Sequence, residues 1–290
     1  MALALLALGV AGCSEPPTPP SKPLVVATFY PLYEFSRQVT GDRAEVVSLV
    51  PPGVEPHDWE PTPQEVARVG RAGLLVYNGA GIEPWVDKLL ADAAARPATV
   101  NATEGLPLLT GAGGGPPDPH VWLDPVLAQA MVERIMEALK RADPAGAGEY
   151  AERARAFQSR LARLHEAYET GLARCARRDI VVSHAAFGYL GARYRLSVVP
   201  VMGLAPESEP SPAQLAAIVR FARQRKVKYI FFETLVSPRL AETLAREVGA
   251  RTLVLNPVEG LTPEQASAGQ GYVALMEENL KNLRVALECP

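Results

Sequence analysis

GEYAERARAFQSRLARLHEAYETGLAR, residues 148–174, runs without a proline, and its apolar residues keep helical time. Tyr150, Ala154, Phe157, Leu161, Leu164, Tyr168 and Leu172 recur at spacings of three and four, one buried stripe on an otherwise charged helix. At ~1.5 Å per residue such a helix extends roughly 40 Å, enough to cross a small domain. On both sides of it the chain alternates short β-rich runs with helical segments. LVVATF (24–29), AEVVSLV (44–50), GLLVYNG (73–79) and ATVNA (98–102) precede it; DIVVSH (179–184), LSVVPV (196–201), KYIFFE (228–233) and RTLVLN (251–256) follow. Between them, PTPQEVARVGRAG offers Thr62 as a helix cap with Pro63 at the first helical position, and QASAGQGYVALMEENLKNLRVAL reads as one terminal helix. Strands alternating with helices predict parallel sheets. The expected fold is therefore α/β: two lobes of parallel β-sheet flanked by helices, joined by one long rigid helix. The N-terminal lobe spans 24–147, the linking helix 148–174 and the C-terminal lobe 175–290.

The first residues carry a different message. MALALLALGVAG (1–12) is too short to cross a bilayer and has the length of a signal-peptide core. It ends in Val-Ala-Gly-Cys, so residues 1–13 read as a lipoprotein signal with Cys13 as the lipidated residue. SEPPTPPSKP (14–23) is too polar and proline-rich to pack and reads as an extended tether. The expected location is extracytoplasmic, on a bacterial membrane and held there through the lipid alone. Export makes Cys175 and Cys289 candidates for a disulfide. With 29 basic and 32 acidic residues the formal net charge is −3, which argues against a nucleic-acid partner. A monomer is expected.

Function is carried by histidines. Of four, three sit in irregular, Pro- and aromatic-rich segments: His57 in PHDWEPTP, His120 in DPHVWLDP and His184 in VVSHAAFGY. Each follows a strand or closes a loop, where open α/β sheets bind ligands. The fourth, His165, lies beside the long apolar stripe on an Arg- and Glu-rich surface and reads as a packing residue. In the C-terminal lobe, RTLVLN is followed by PVEGLTP, which brings Glu259 to another strand's carboxyl end. Three imidazoles and one carboxylate suit Zn²⁺, which takes four N, S or O ligands, ahead of Mn²⁺, which favours oxygen. Asp58, Glu60 and Asp124 are near enough in sequence to orient these rings. The Gly- and Pro-rich segment 103–119 reads as a mobile surface loop.

Taken together, VVATFYPLYEF, EPHDWEPTP, DPHVWLDP, VVSHAAFGYLGARY, FFETLVSP and LNPVEGLT resemble the metal-binding lipoproteins of bacterial ABC transporters for zinc and manganese, the ZnuA/TroA-like solute-binding proteins. The resemblance covers essentially the whole chain after the tether. It implies that His57, His120, His184 and Glu259 bind the ion, with Asn256 where other members place an aspartate ligand. It also implies an ABC permease as partner and small movements in place of wide hinge closure. Manganese-binding relatives carry glutamate in place of His184, which favours zinc. Two departures stand out: no Lys or Arg precedes the apolar leader, and loop 103–119 lacks the histidines of many zinc-specific members. The rival readings are a manganese receptor of the same family and a zinc-dependent hydrolase. The hydrolase lacks an H-E-x-x-H helix, and a fourth protein ligand leaves no position for an activated water.

Overall fold

The computed structural model describes residues 22–92, 97–110, 114–206 and 210–290. The leader, Cys13 and most of the tether lie outside the described residues. The N-terminal half contains β1 (Leu24–Ala27), α1 (Tyr30–Thr40), β2 (Glu45–Ser48), α2 (Pro63–Val69), β3 (Leu74–Tyr77), α3 (Val86–Asp92), β4 (Ala98–Asn101) and α4 (Pro125–Ala142). The long helix is α5 (Ala147–Leu172). Beyond it come β5 (Asp179–Val182), α6 (Gly188–Tyr194), β6 (Ser197–Pro200), α7 (Pro212–Gln224), β7 (Tyr229–Phe232), α8 (Arg239–Val248), β8 (Arg251–Val254), α9 (Pro263–Ser267) and α10 (Tyr272–Ala286).

Both sheets are fully parallel and share one topology, β2-β1-β3-β4 and β6-β5-β7-β8. Side chains alternate across each strand, and both faces are covered. In the first sheet Val25, Ala27, Leu74 and Val76 enter the inner core, while Val26 and Leu75 enter an outer core with Val69 of α2 and Leu89 of α3. Ile180, Val182 and Phe231 repeat the inner pattern in the second sheet, with Val181 and Ile230 facing α7 and α8. Burial on both faces explains why these strands read as near-continuous apolar runs.

The inner core is one cluster that crosses from lobe to lobe, and α5 is its spine. All seven residues of the apolar stripe are buried. Phe35 of α1 meets Phe157 of α5 at 5.7 Å and Tyr272 of α10 edge-on at 5.1 Å, while the Tyr168 hydroxyl donates to Met276 O at 2.6 Å. Parting the lobes widely would expose these aromatic side chains to water, at roughly 25 cal/mol for each Å² of apolar surface. The connection therefore acts as a strut.

One local expectation changes. The terminal segment is two helices: Gly269 takes φ +64° and Gly271 caps α10, so the chain turns between Ser267 and Tyr272. Tyr189 of α6 touches segment 103–119 at two of its described residues. The Tyr189 hydroxyl donates to Asp118 O at 2.8 Å and accepts from Leu109 N–H at 2.9 Å.

The sulfurs of Cys175 and Cys289 are bonded, closing a sequence separation of 114. The bridge joins the end of α5 to the end of the chain, beside the hydrogen bond from Arg177 N–H to Leu287 O at 3.1 Å. A disulfide is typically worth about 2–4 kcal/mol, and more as the closed loop lengthens. The double variant Cys175→Ser, Cys289→Ser is expected to melt several degrees below the oxidised protein by calorimetry. A thiol reductant should bring the parent down to the same temperature; a parent insensitive to reductant would refute the assignment.

Candidate metal centre

Four side chains from four separate segments, two in each lobe, converge between the lobes. His57 arrives on the segment after β2, whose path is set by Leu49 N–H to Ala27 O (2.9 Å), Val50 N–H to Thr28 O (3.0 Å) and, across the lobes, Gly53 N–H to Leu261 O (2.7 Å). His120 opens a 3₁₀ turn at Val121–Leu123 that leads into α4. His184 follows β5. Glu259 follows β8, in a turn built by its neighbours: Asn256 Oδ1 accepts from Val258 N–H at 2.7 Å, and Asn279 holds the Asn256 backbone from both sides at 2.8 and 2.6 Å. Val258 takes φ +58°, a left-handed conformation unfavourable for a β-branched residue. Trp122 of the other lobe donates to Pro257 O at 2.8 Å and secures that strained turn.

The ligand atoms meet closely. His120 Nε2 lies 3.3 Å from His57 Nε2 and 3.3 Å from His184 Nε2. Glu259 Oε1 lies 3.5, 3.0 and 3.3 Å from the Nε2 atoms of His57, His120 and His184. One ligand atom from each of the four residues falls within 4.8 Å of the rest, and this is the cluster with metal-holding potential among the described residues. For metal–ligand bonds of about 2.0–2.1 Å a tetrahedron has edges of about 3.3 Å, so the spacings fit four-coordinate zinc. His120, His184 and Glu259 are buried, and neither oxygen of Glu259 accepts a well-formed hydrogen bond. A carboxylate buried among three imidazole nitrogens, with no other donor beside it, is a ligand set that a cation completes.

Two of the rings are oriented by acids. Asp118 Oδ1 lies 2.7 Å from His120 Nδ1 and also accepts His120 N–H at 3.0 Å. Both carboxylate oxygens of Glu233 lie 2.8 Å from His184 Nδ1, and Oε1 accepts His184 N–H at 3.2 Å. In neutral rings these contacts place the proton on Nδ1 and turn the Nε2 lone pair inward. Asp58 and Glu60 are exposed instead. Asp124 caps α4 through Val126 N–H at 2.9 Å and pairs with Arg193 at 2.7 Å. His165 stands apart, its Nδ1 3.1 Å from the Tyr194 hydroxyl.

The electrostatics bind the cluster together. Burial opposes charge on His184, but the carboxylates of Glu233 and Glu259 outweigh it and hold its pKa well above the ordinary imidazole range. His120 is likewise raised: burial works against it, Asp118 and Glu259 for it. Burial would raise Glu259, yet the three imidazoles hold it well below the usual carboxylate range. Glu55, whose Oε1 accepts His57 N–H at 3.2 Å, is pushed up to about 8 by burial and then by Glu259.

Asp118→Asn and Glu233→Gln are each expected to weaken zinc binding by about 10–100-fold through loss of ring orientation. Competition against a chelating dye measures this. Unchanged affinity in both variants would remove the two acids from the site.

The model of the family described as "ZnuA: Zinc-uptake complex component A periplasmic" matches residues 25–286. The high-affinity zinc uptake system protein ZnuA of Bacillus subtilis (strain 168) is 39% identical over 279 residues, 91% of this chain and 87% of that protein. The zinc-binding lipoprotein AdcA of Streptococcus pneumoniae serotype 4 is 39% identical over 294 positions; the match covers 97% of this chain but 59% of that longer protein. The crystal structure of the Zn(II)-bound ZnuA-like domain of Streptococcus pneumoniae AdcA superposes with a TM-score of 0.82 at 41% identity, covering 92% of this chain and 100% of that one. The chain belongs to the family of ZnuA zinc-uptake components.

Proposed function

We propose that this protein is an extracytoplasmic receptor that captures Zn²⁺ with His57, His120, His184 and Glu259 and delivers it to an ABC-type permease. The observation that carries this reading is the geometry: four inward-facing ligand atoms at tetrahedral spacing, three from imidazoles and one from the buried Glu259 carboxylate. Three nitrogens and one oxygen favour zinc, a borderline-soft ion, over the harder manganese. The zinc named in the relatives points the same way. Cys13 serves as the lipid anchor and 14–23 as the tether of a monomer, with lobes 24–147 and 175–290 either side of the linking helix. Binding exchanges zinc's waters for three neutral imidazoles and one carboxylate, and four protein ligands leave no site for a hydrolytic water. Because the core is continuous across the lobes, release proceeds by local distortion at the centre.

Competitive calorimetry with Zn²⁺ and Mn²⁺ tests the proposal. One zinc per chain, displacing manganese, is expected. Tighter binding of manganese would overturn the choice of ion. Zinc binding indifferent to His57→Ala, His120→Ala and His184→Ala would overturn the site itself.

A further inference from the structure

Gly188 opens α6 in ordinary right-handed helix, at φ −58° and ψ −50°. Nothing in that backbone calls for glycine, and alanine is the better helix former. What excludes a larger residue is a side chain from the other lobe. A Cβ at Gly188 would stand 2.6 Å from Asp118 Oδ2, closer than unbonded atoms approach. Its next neighbour, Leu109 Cδ1 at 3.5 Å, would be in ordinary contact. Asp118 is the acid that orients His120, so the missing methyl leaves room for a carboxylate that serves the metal centre.

That carboxylate is not free to swing aside. Its Oδ1 is committed to His120 twice, to Nδ1 at 2.7 Å and to the backbone N–H at 3.0 Å. The Asp118 backbone is held as well. Its N–H donates to Leu109 O at 2.8 Å, and its carbonyl accepts the Tyr189 hydroxyl at 2.8 Å. The same hydroxyl accepts Leu109 N–H at 2.9 Å, so Tyr189 ties both members of that pair to α6. One residue on, Pro119 O accepts from Asn78 Nδ2 at 3.0 Å. Burial pushes the pKa of the Tyr189 hydroxyl up to about 12, which keeps its proton in place as the donor. Asp118 is 5% exposed and Tyr189 3%, so water does not stand in for either contact. An intruding methyl can be relieved in two ways. It pulls Oδ1 off His120, or it pushes α6 from the seam and takes Tyr189 with it.

We propose that Gly188 and Tyr189 are positioning residues for zinc: together they hold the Asp118 carboxylate on His120 from the opposite lobe. The inference rests on the zinc reading above and extends it to residues outside the four ligands. His120 and Asp118 belong to the N-terminal lobe, whereas α6 follows His184 in the C-terminal lobe. The seam between them sets the angle of one ligand ring from the side that supplies another ligand. Distortion that lifts α6 from Asp118 frees the His120 ring, which gives release a local starting point.

Zinc affinity, read by competition against a chelating dye on variants that melt cooperatively, tests this. Gly188→Ala is expected to bind zinc about tenfold more weakly, the lower end of what losing an orienting acid costs. Tyr189→Phe should weaken binding in the same direction. The decisive variant pairs Gly188→Ala with Asp118→Ala, which removes the carboxylate that the methyl meets. There the methyl should change affinity by less than about twofold relative to Asp118→Ala alone, since both changes act through one contact. Gly191→Ala is the control on the same helix. Its methyl would crowd Val198 Cγ2 at 2.5 Å, so it should lower Tm and leave zinc affinity unmoved. Gly188→Ala or Tyr189→Phe binding zinc as tightly as the parent overturns the proposal. So does a tenfold loss that persists without the Asp118 carboxylate, or an equal loss in Gly191→Ala. A parent that bound no zinc would overturn the zinc reading itself, so the two failures are distinguishable.

Discussion

His184→Ala is expected to weaken zinc binding by at least a hundredfold. Complete four-ligand zinc sites supply roughly 10–16 kcal/mol, so an average ligand carries about 3 kcal/mol or more, and each 1.4 kcal/mol is about tenfold. His120→Ala and Glu259→Ala should fall in the same range, because each leaves three ligands and an unfilled coordination position. The zinc-free proteins should separate them. His184 is buried against Glu233 and Glu259, so its removal leaves two buried carboxylates short of a partner and lowers Tm before any metal is added. The His57 side chain is 8% exposed against 0% for His120 and His184, so His57→Ala should cost similar affinity with little loss of zinc-free stability. Thermal melts with and without zinc read both quantities, since a ligand raises Tm in step with its affinity. His165→Ala serves as the control. Full zinc-induced stabilisation in His184→Ala would exclude that residue from the centre.

The architecture and the ligand set were legible for one reason: both are written in periodicity and in local motifs. The buried stripe from Tyr150 to Leu172 shows at spacings of three and four, and strands buried on both faces stand out as apolar runs. What stayed hidden depends on sheet order. Glu233 orients His184 because β7 lies beside β5, a neighbour relation that a linear chain does not reveal. Asp118, two residues before His120, was passed over for Asp124, which helix α4 instead uses as its cap. Glu55 was overlooked because a loop acid beside a proline gives no sign that it will fold back onto His57. The break between α9 and α10 was signalled by Gly269 and Gly271, whose freedom at positive φ or as a cap outweighed the helical pattern around them.

Acidification should strip the ion, beginning at a higher pH than free imidazole would suggest. Zinc binds deprotonated rings, whereas in the metal-free protein His184 and His120 hold their protons above the ordinary imidazole value of about 6.5. Below their raised pKa values zinc must displace those protons, and each one displaced costs up to about tenfold in affinity per pH unit. Glu55, pushed up to about 8, titrates in the same window. The sign for stability is opposite in the two states. Raised histidines stabilise the metal-free fold at low pH and lose that contribution as pH rises through their folded pKa values; bound zinc stabilises more as pH rises. The Tm gap between zinc-loaded and metal-free protein should therefore narrow steadily as pH falls from about 8, where Glu55 titrates, past the ordinary imidazole value of about 6.5. Glu233→Gln removes a charge that holds the proton on His184, so its gap should start smaller at high pH and narrow at lower pH than the parent's. Melts across this range decide the matter: a gap independent of pH would mean that protons and zinc do not compete for these rings.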